Sequence, residues 1–230
     1  MSKWTWFVVL FSRVTLNLAV RVTYPFLPAI ARGLGISFER AGLLVAARHL
    51  VGLTGALWGL LGERKGYAWG MVIGLSALFL GSLTVSVSRT FSLALVGFVL
   101  IGLSKPVYDP NVQAFASDRI PYSKRARALG ILESSWAGSW LIGIPLSGFL
   151  IAHFGWHSPF VLISVAALVA IICTKSLQEV NQSNPNKKES ASQVVSSAGE
   201  EVTVRAKPVL ILGVSLLMVF ANENMVIVYG

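Results

Sequence analysis

The sequence predicts an all-α fold, a polytopic transmembrane helical bundle, from its composition and from the spacing of its apolar runs. Of the 230 residues, 54% are hydrophobic and 13% are charged, and the mean hydropathy is +0.69. Soluble domains have about a quarter of their residues charged, so this chain has too few charges to cover a soluble surface. The 7 Trp, 21 Gly and 9 Pro residues agree with the raised use of these residues in membrane helices.

Seven apolar runs approach the length that crosses about 30 Å of hydrocarbon as a helix. They are Trp4–Ile30, Ala41–Leu61, Tyr67–Val87, Phe91–Ala116, Ala128–Phe154, Pro159–Cys173 and Pro208–Gly230. Each is predicted to be helical, because lipid offers no hydrogen-bond partners to an open backbone. Turns are predicted at Phe38–Ala41 and Pro121–Lys124. The first run is too long for the apolar core of a signal peptide, so we expect it to be a membrane helix.

The basic residues predict the orientation of the chain. A net charge of +9 would suggest nucleic acid in a soluble protein, but here most charges lie in short segments between apolar runs. Lys and Arg are concentrated in the segments on one side, and the opposite loops contain only Arg32, Arg40 and Arg89. By the positive-inside rule the N-terminus is cytoplasmic, in a cell inner (plasma) membrane. Nucleic acid is therefore not an expected partner.

A polar segment divides the chain into three parts. Residues 175–207 are rich in Ser, Asn, Gln, Glu and Lys and cannot bury enough apolar area to fold alone, so they are predicted to be a flexible cytoplasmic linker. Residues 1–174 form a predicted block of six transmembrane helices, and residues 208–230 form a seventh. Six helices, a long linker and then a further helix is the plan of transporters built from two six-helix halves.

The cytoplasmic loops carry a family resemblance. The sequence Gly59-Leu-Leu-Gly-Glu63-Arg64-Lys-Gly66 resembles the signature loop of the major facilitator superfamily, with Glu63 in place of the usual Asp. The later segment from Asp118 to Arg125 is similar to the corresponding second loop. The resemblance implies that Asp118 pairs with Arg64, and that Arg125 pairs with Glu63 or with a helix end. Alternatively, all four are ordinary solvated loop charges.

The fifth apolar run adds a second motif. Its glycines and proline, Gly138, Gly143, Pro145 and Gly148, are similar to the helix 5 motif of drug and metabolite antiporters in the superfamily. Small residues permit close helix contact, and proline permits a bend. The spacing departs from the family pattern, and Phe98 stands where many of these antiporters have an arginine four residues before a glycine, here Gly102.

The resemblance implies a function. A member of this superfamily is a secondary active transporter, not an enzyme, and moves a small solute by alternating access without a cofactor. Proton-coupled efflux is the expected mode. The expected partners are the lipid bilayer, the solute, and a second six-helix half or a second copy of the chain. The alternatives are a truncated or split half-transporter without activity alone, and a seven-helix membrane receptor. No metal-ligand or nucleophile motif is present in the sequence.

Several ionisable residues lie inside the predicted spans, where a charge usually faces a cavity or a partner. The first span carries a polar stripe at helical spacing, and the fourth and fifth spans carry further charges. These residues are Arg13, Asn17, Arg21, Tyr24, Lys105, Asp109 and Glu133. Arg13, Lys105, Asp109 and Glu133 are predicted to share one layer that lines the cytoplasmic side of a translocation cavity. The alternative is a structural ion-pair network that only joins the helices.

Arg21 is the residue expected to contact a substrate or a coupling group, because a guanidinium is suited to carboxylates and phosphates. Alternatively, Arg21 reaches the outer interface or a backbone carbonyl. Glu223, in the predicted seventh helix, is a hypothetical partner of Arg21. Arg48 and His49 are expected to extend toward the outer interface. Trp136 and Trp140 are four residues apart and either border the cavity or pack against lipid and neighbouring helices.

Overall fold

The computed structural model describes residues 2–54, 58 and 66–182, and these ranges are almost entirely helical. The helices are α1 (Lys3–Arg21), α2 (Thr23–Leu34), α3 (Phe38–Gly52), α4 (Tyr67–Ser86), α5 (Phe91–Arg119), α6 (Tyr122–Gly138), α7 (Ile144–Phe154) and α8 (Ser158–Gln182). A π-helical turn, Ser139–Gly143, joins α6 to α7. No strand occurs within the described ranges, and the predicted all-α class is confirmed.

Four continuous helical stretches are long and apolar enough to cross a membrane. They are Tyr67–Ser86, Phe91–Arg119, Ser123–Phe154 and Ser158–Leu177, and the bent pair α1–α2 is a fifth candidate. The last helix continues to Gln182, past the residue at which the linker was predicted to begin. The rest of that linker, the seventh helix and the end of the second span lie outside the described residues.

The first predicted span is helical, but it is broken between Arg21 and Thr23, where the axes of α1 and α2 differ by 54°. The prediction of one uninterrupted helix was therefore wrong. Its physical cause lies in the prolines that follow. Pro25 and Pro28 have no backbone N–H, so two hydrogen bonds of the regular helical ladder cannot form near the break. Close to the break, the backbone carbonyl of Val20 accepts a hydrogen bond from the side chain of Arg48, on α3.

Two predicted turns are the beginnings of helices. α3 begins at Phe38 because the Ser37 side chain accepts a hydrogen bond from the backbone N–H of Arg40 at 3.3 Å, which is typical of an N-cap. The chain reverses just before it, at Gly35, whose φ of 65° favours glycine. Likewise α6 begins at Tyr122, directly after Pro121. The turns predicted at Phe38–Ala41 and Pro121–Lys124 were therefore placed a few residues late.

Close backbone contact joins α4 and α5. A Cβ atom built on Gly81 would lie 2.8 Å from the carbonyl oxygen of Gly97, and one on Gly97 would lie 2.6 Å from Cγ2 of Val85. A Cβ on Gly74 would lie 2.8 Å from the carbonyl oxygen of Ser104. Small residues at such contacts let membrane helices approach closely, in the absence of a hydrophobic driving force between them.

Candidate functional site: a charged layer on α1, α5 and α6

Arg13 lies at the centre of a charged layer formed by three helices. Its Nη2 atom donates to Oε1 of Glu133, on α6, at 2.9 Å. Its Nε atom lies 3.7 Å from Oδ1 of Asp109, on α5. The Arg13 side chain is only 2% exposed, so it depends on these carboxylates for compensation of its charge. The layer predicted from the sequence is therefore assembled in the described residues.

Lys105 completes the layer and links it to neutral groups. Its Nζ atom donates to Oδ2 of Asp109 at 2.7 Å, one helical turn away on α5. The same Nζ donates to Oδ1 of Asn17, on α1, at 3.1 Å. The Asn17 amide in turn donates to the hydroxyl of Ser135, on α6, at 3.2 Å. We call Arg13, Asn17, Lys105, Asp109 and Glu133 the charged layer.

The charged layer is closed on one side and open on the other. Arg13 and Asn17 are buried between the helices, whereas the Asp109 side chain is 20% exposed and that of Glu133 is 58% exposed. Glu133 lies within the candidate span Ser123–Phe154, so its exposure occurs at membrane depth. A carboxylate exposed to lipid at that depth is costly, and we therefore assign the open side to water or to another protein element.

A second polar cluster lies at the break between α1 and α2, and the sequence did not predict it. Arg48 is 3% exposed, so the expectation that it extends to the outer interface was wrong. Its Nη1 donates to the carbonyl of Val20 at 2.8 Å and to Oγ1 of Thr23 at 3.1 Å. Its Nη2 lies 2.9 Å from the Tyr24 hydroxyl and 3.2 Å from Nε2 of His49. We call Thr23, Tyr24, Arg48 and His49 the break cluster.

The break cluster has a sequence signal that could have located it. Two prolines within four positions, Pro25 and Pro28, leave carbonyl groups without their helical donors. The carbonyls affected are those of Arg21 and Tyr24, four residues before each proline, and Arg48 donates to the neighbouring carbonyl of Val20. Gly102, on α5, lies directly against the backbone of Arg48, where a Cβ atom would clash with the Arg48 carbonyl oxygen. A glycine is therefore required for α3 and α5 to approach here.

Arg21 lies on an aromatic surface. Its guanidinium carbon is 3.3 Å from the ring centroid of Trp136 and 4.8 Å from that of Trp140, which is the geometry of a cation–π contact. Trp140 belongs to the π-helical turn after α6, and such turns are frequent at functional sites. Both tryptophans therefore contact Arg21. The hypothetical pairing of Arg21 with Glu223 lies outside the described residues.

The residues that resemble the family's helix 5 motif lie on α6, on α7 and in the π-helical turn between them. They pack against the first span. A Cβ on Gly143 would lie 2.5 Å from Cδ1 of Leu18, and one on Gly138 would lie 3.9 Å from Cγ2 of Val14. Gly148 faces the ring of Phe26, on α2. Pro145 lies directly after the π-helical turn, within the continuous helical stretch Ser123–Phe154, so its missing N–H removes one bond of the helical ladder there. Phe98, at the position of the expected arginine, is fully buried, and its ring lies edge-on to Phe160 at 5.9 Å.

The predicted gate residues are described only in part. Gly66 precedes α4 with a φ of 98°, and Asp118 is exposed near the end of α5. Arg125 donates from Nε to the carbonyl of Ile120 at 3.2 Å. The remaining signature residues, Gly59, Glu63 and Arg64, lie outside the described residues, as do the ion pairs predicted for them. Within the described ranges no group of His, Cys, Asp and Glu is arranged to bind a metal ion.

Comparisons with known proteins agree with this architecture. The family model of the Major Facilitator Superfamily matches residues 9–229. Multidrug resistance protein 2 of Bacillus subtilis is 27% identical over 195 residues, which are 81% of this chain and 48% of the relative. Quinolone resistance protein NorA of Staphylococcus aureus is 25% identical over 167 residues, 72% of this chain and 43% of the relative. The chain therefore spans about half, or less, of the length of these curated relatives.

Solved structures show the same fold. A crystal structure of a mutant of the peptide transporter POT in complex with alafosfalin superposes with a TM-score of 0.67 at 18% sequence identity. The match covers 94% of this chain and 50% of that transporter. The structure of POT in complex with sulfate also gives a TM-score of 0.67, at 16% identity. The family model covers nearly the whole sequence, and the helical architecture agrees with it: the chain belongs to the Major Facilitator Superfamily.

Proposed function

We propose that this chain is a secondary active transporter that exports a small solute in exchange for protons by alternating access. The charged layer carries the proposal. Two cations and two carboxylates from α1, α5 and α6 meet at membrane depth, and Glu133 is more than half exposed there. A purely structural network would gain most from being fully enclosed, because water at its edge weakens the attraction between the charges.

The open side of the layer supports a cavity. Insertion of an acidic or basic side chain at the centre of a membrane helix costs about 2.5–3.5 kcal/mol, so such residues usually line water-filled paths or face other helices. In transporters built from repeats, the solute site lies near the bilayer midplane between two helical blocks. We place the solute path of this protein along the exposed edge of α6, with the complementary block on the opposite side.

Relatives support export rather than another activity. Multidrug resistance protein 2 and Quinolone resistance protein NorA are named for resistance to drugs and to quinolones. Export of such compounds is the proposed role of this chain, in the plasma membrane with a cytoplasmic N-terminus. The concentration of Lys and Arg on one side of the predicted spans supports this orientation.

Transport by everted membrane vesicles tests the proposal. A fluorescent cationic dye would be added to vesicles containing the protein, and a pH gradient would be imposed across the membrane. We expect gradient-dependent dye accumulation that is lost in Arg13→Gln and in Asp109→Asn, because each change leaves a charge of the layer without a partner. Arg40→Gln, at an exposed position of α3, is the matched control and should transport normally.

The contrary outcome is equally clear. If Arg13→Gln and Asp109→Asn transport at the wild-type rate and only lose thermal stability, the layer is a structural network and the proposed role is wrong.

A second pair of variants tests whether Arg21 contacts the solute. Arg21→Lys retains the charge but not the planar group that stacks on Trp136, so we expect it to weaken solute affinity nearly as much as Arg21→Gln.

A second candidate function is a half-transporter that is inactive alone. The chain matches less than half of Multidrug resistance protein 2 and of NorA, and the charged layer is open on one side. Co-expression of this chain with a six-helix block from the second half of such a relative distinguishes the two candidate functions. Transport only in the presence of the added block would favour the half-transporter, whereas transport by the chain alone would favour assembly of two copies.

A further inference from the structure

Arg13 is shared unequally by two carboxylates. It donates to Glu133 at 2.9 Å, but its nearest approach to Asp109 is 3.7 Å, which is too long for a hydrogen bond. Among the described residues, its Nε and Nη1 atoms have no hydrogen-bond acceptor, although the side chain is almost fully buried. A buried guanidinium with unsatisfied donors is unfavourable. A small rotation toward Asp109 would satisfy these donors.

The two carboxylates differ in their partners. Asp109 is contacted by both Arg13 and Lys105, so a proton placed on Asp109 would disrupt two contacts with cations. Glu133 is contacted by Arg13 alone among the described residues. Glu133 is also the more exposed of the two acids, with 58% of its side chain accessible against 20% for Asp109. A proton therefore reaches Glu133 more readily and disrupts fewer contacts there.

We propose that Glu133 is the proton-binding group of this transporter and that Arg13 transmits its protonation to α1 and α5. The inference rests on the proposed function, which it extends by naming the coupling site. A hydronium ion in the opening transfers its proton to a carboxylate oxygen of Glu133. The ion pair with Nη2 of Arg13 becomes a weak contact with a neutral acid, and Arg13 turns to Asp109, where it forms paired hydrogen bonds.

The charges of the layer make this step reversible. Before protonation the two cations and two carboxylates cancel, and afterwards the layer has one net positive charge. In the described residues Glu133 pairs with Arg13 from α1, Arg13 also lies near Asp109 from α5, and Asp109 is contacted by Lys105 on the same helix. The added positive charge is unfavourable in a membrane interior, so it promotes either release of the proton or opening of the layer to water.

Protonation also changes how α6 is attached to α1. In the neutral layer the two helices are joined by the Arg13–Glu133 ion pair and by the Asn17–Ser135 hydrogen bond. After protonation the Arg13–Glu133 ion pair is lost, and the hydrogen bond between the uncharged side chains of Asn17 and Ser135 remains, which is weaker than a bond between charged groups. The contact of α6 with α1 is thereby loosened by a proton, while the contact of α1 with α5 is strengthened. Movement of α6 relative to α1 is the conformational change that we couple to proton binding.

Infrared spectroscopy of the purified full chain in lipid tests the site without relying on transport. A pH change should produce a difference band from the C=O stretch of a newly protonated carboxyl group. We expect the band to disappear in Glu133→Gln, to shift in Glu133→Asp, and to persist in Ser134→Ala, an exposed neighbour on α6. Persistence of the band in a folded Glu133→Gln protein would overturn the inference, and its loss in Asp109→Asn alone would assign the proton to Asp109.

Transport measured on the same preparations separates the inference from the proposed function. We expect Glu133→Gln to lose the dependence of solute flux on the pH gradient. If the infrared C=O band of Glu133 changes with pH but the chain transports no solute, the result would support the proton site and contradict the proposed function. Proton-driven transport that is unchanged in Glu133→Gln would contradict the inference and leave the proposed function in place.

Discussion

The charged layer and the break cluster both compensate a buried arginine, but they use different chemistry. Arg13 is paired with the carboxylates of Asp109 and Glu133. The contacts described for Arg48 are with the Val20 carbonyl, the hydroxyls of Thr23 and Tyr24, and the His49 imidazole. Carboxylate pairs lose their attraction when a proton binds, whereas the Val20 carbonyl and the Thr23 hydroxyl, which accept from Nη1 of Arg48, carry no charge to lose.

The difference assigns different roles to the two clusters. The break cluster bonds to the backbone where the helical ladder is interrupted, so it stabilises a fixed bend in the first span. The charged layer joins three helices through side chains alone and can be rearranged by one proton. We therefore infer that the break cluster is mainly structural and that the charged layer is the part that changes during transport.

The largest effect is expected for Asp109→Asn. The substitution removes the carboxylate partner of Lys105 and the second carboxylate near Arg13. Breaking a fully buried ion pair costs about 3–5 kcal/mol, and because the side chains of Lys105 and Asp109 are 30% and 20% exposed, we expect a loss near the lower end of that range. Unfolding of the purified protein by SDS in mixed micelles measures the loss. Glu39→Gln, at an exposed position in α3, is the control and should change the stability little. A loss as small as that of the control would show that the layer contributes nothing to folding.

The next effect is expected for Arg48→Met, which keeps the length of the side chain but removes its donors. Hydrogen bonds to charged groups contribute about 1.5–3 kcal/mol each, offset in part because a buried cation is also removed. We expect a net loss of about 2 kcal/mol in the same unfolding assay. Arg40→Met, on the exposed face of the same helix, serves for comparison. Equal stabilities of the two variants would contradict the structural role of the break cluster.

A smaller effect is expected for Gly102→Ala, which leaves the charges intact but pushes on the backbone of Arg48. Overpacking a close contact typically costs about 1–3 kcal/mol. Gly130→Ala is the matched control, because an added Cβ on Gly130 meets no atom of the described residues within 4 Å. Alanine favours the helix at such a site, so the two variants should change the melting temperature in opposite directions. A Gly102→Ala protein as stable as wild type would mean that α3 and α5 are not closely packed.

The smallest stability effect is expected for Glu133→Gln. The Glu133 side chain is 58% exposed, whereas its partner Arg13 is 2% exposed, and Arg13 keeps the carboxylate of Asp109 at 3.7 Å to compensate its charge. The glutamine oxygen still accepts a hydrogen bond from Arg13. Thermal unfolding should therefore remain close to that of Ser134→Ala. A destabilisation as large as that of Asp109→Asn would show that the two acids are not as different as their contacts indicate.

Much of this molecule could be predicted from its sequence, for physical reasons. Apolar runs without charges have to be helices in a membrane, and acids and bases within them have to find one another, so the meeting of Arg13, Asp109 and Glu133 was predictable. The bend after Arg21 was not predicted, because Pro25 and Pro28 permit a bend without determining its angle. The angle depends on the helices that pack against the first span. For the same reason the burial of Arg48 could not be deduced from its position near the end of a span.

Other features depend on geometry that spacing alone does not determine. Trp136 and Trp140 were recognised as a pair four residues apart, but that spacing did not predict the π-helical turn to which Trp140 belongs. The contact of both rings with Arg21 depends on how α1 packs against them, which the spacing does not determine either. The ion pairs predicted for Glu63, Arg64 and Asp118 remain predictions.

The most direct test of the account is whether water reaches the open side of the charged layer. Ala137 lies one helical turn after Glu133 on the same exposed face, whereas Ile142 is apolar and 68% exposed. In a Cys173→Ser background, we expect Ala137→Cys to react with a membrane-impermeant charged thiol reagent and Ile142→Cys to be protected by lipid. Reaction at Ile142→Cys with protection at Ala137→Cys would contradict the account, because the charged layer would then face lipid rather than a solute path.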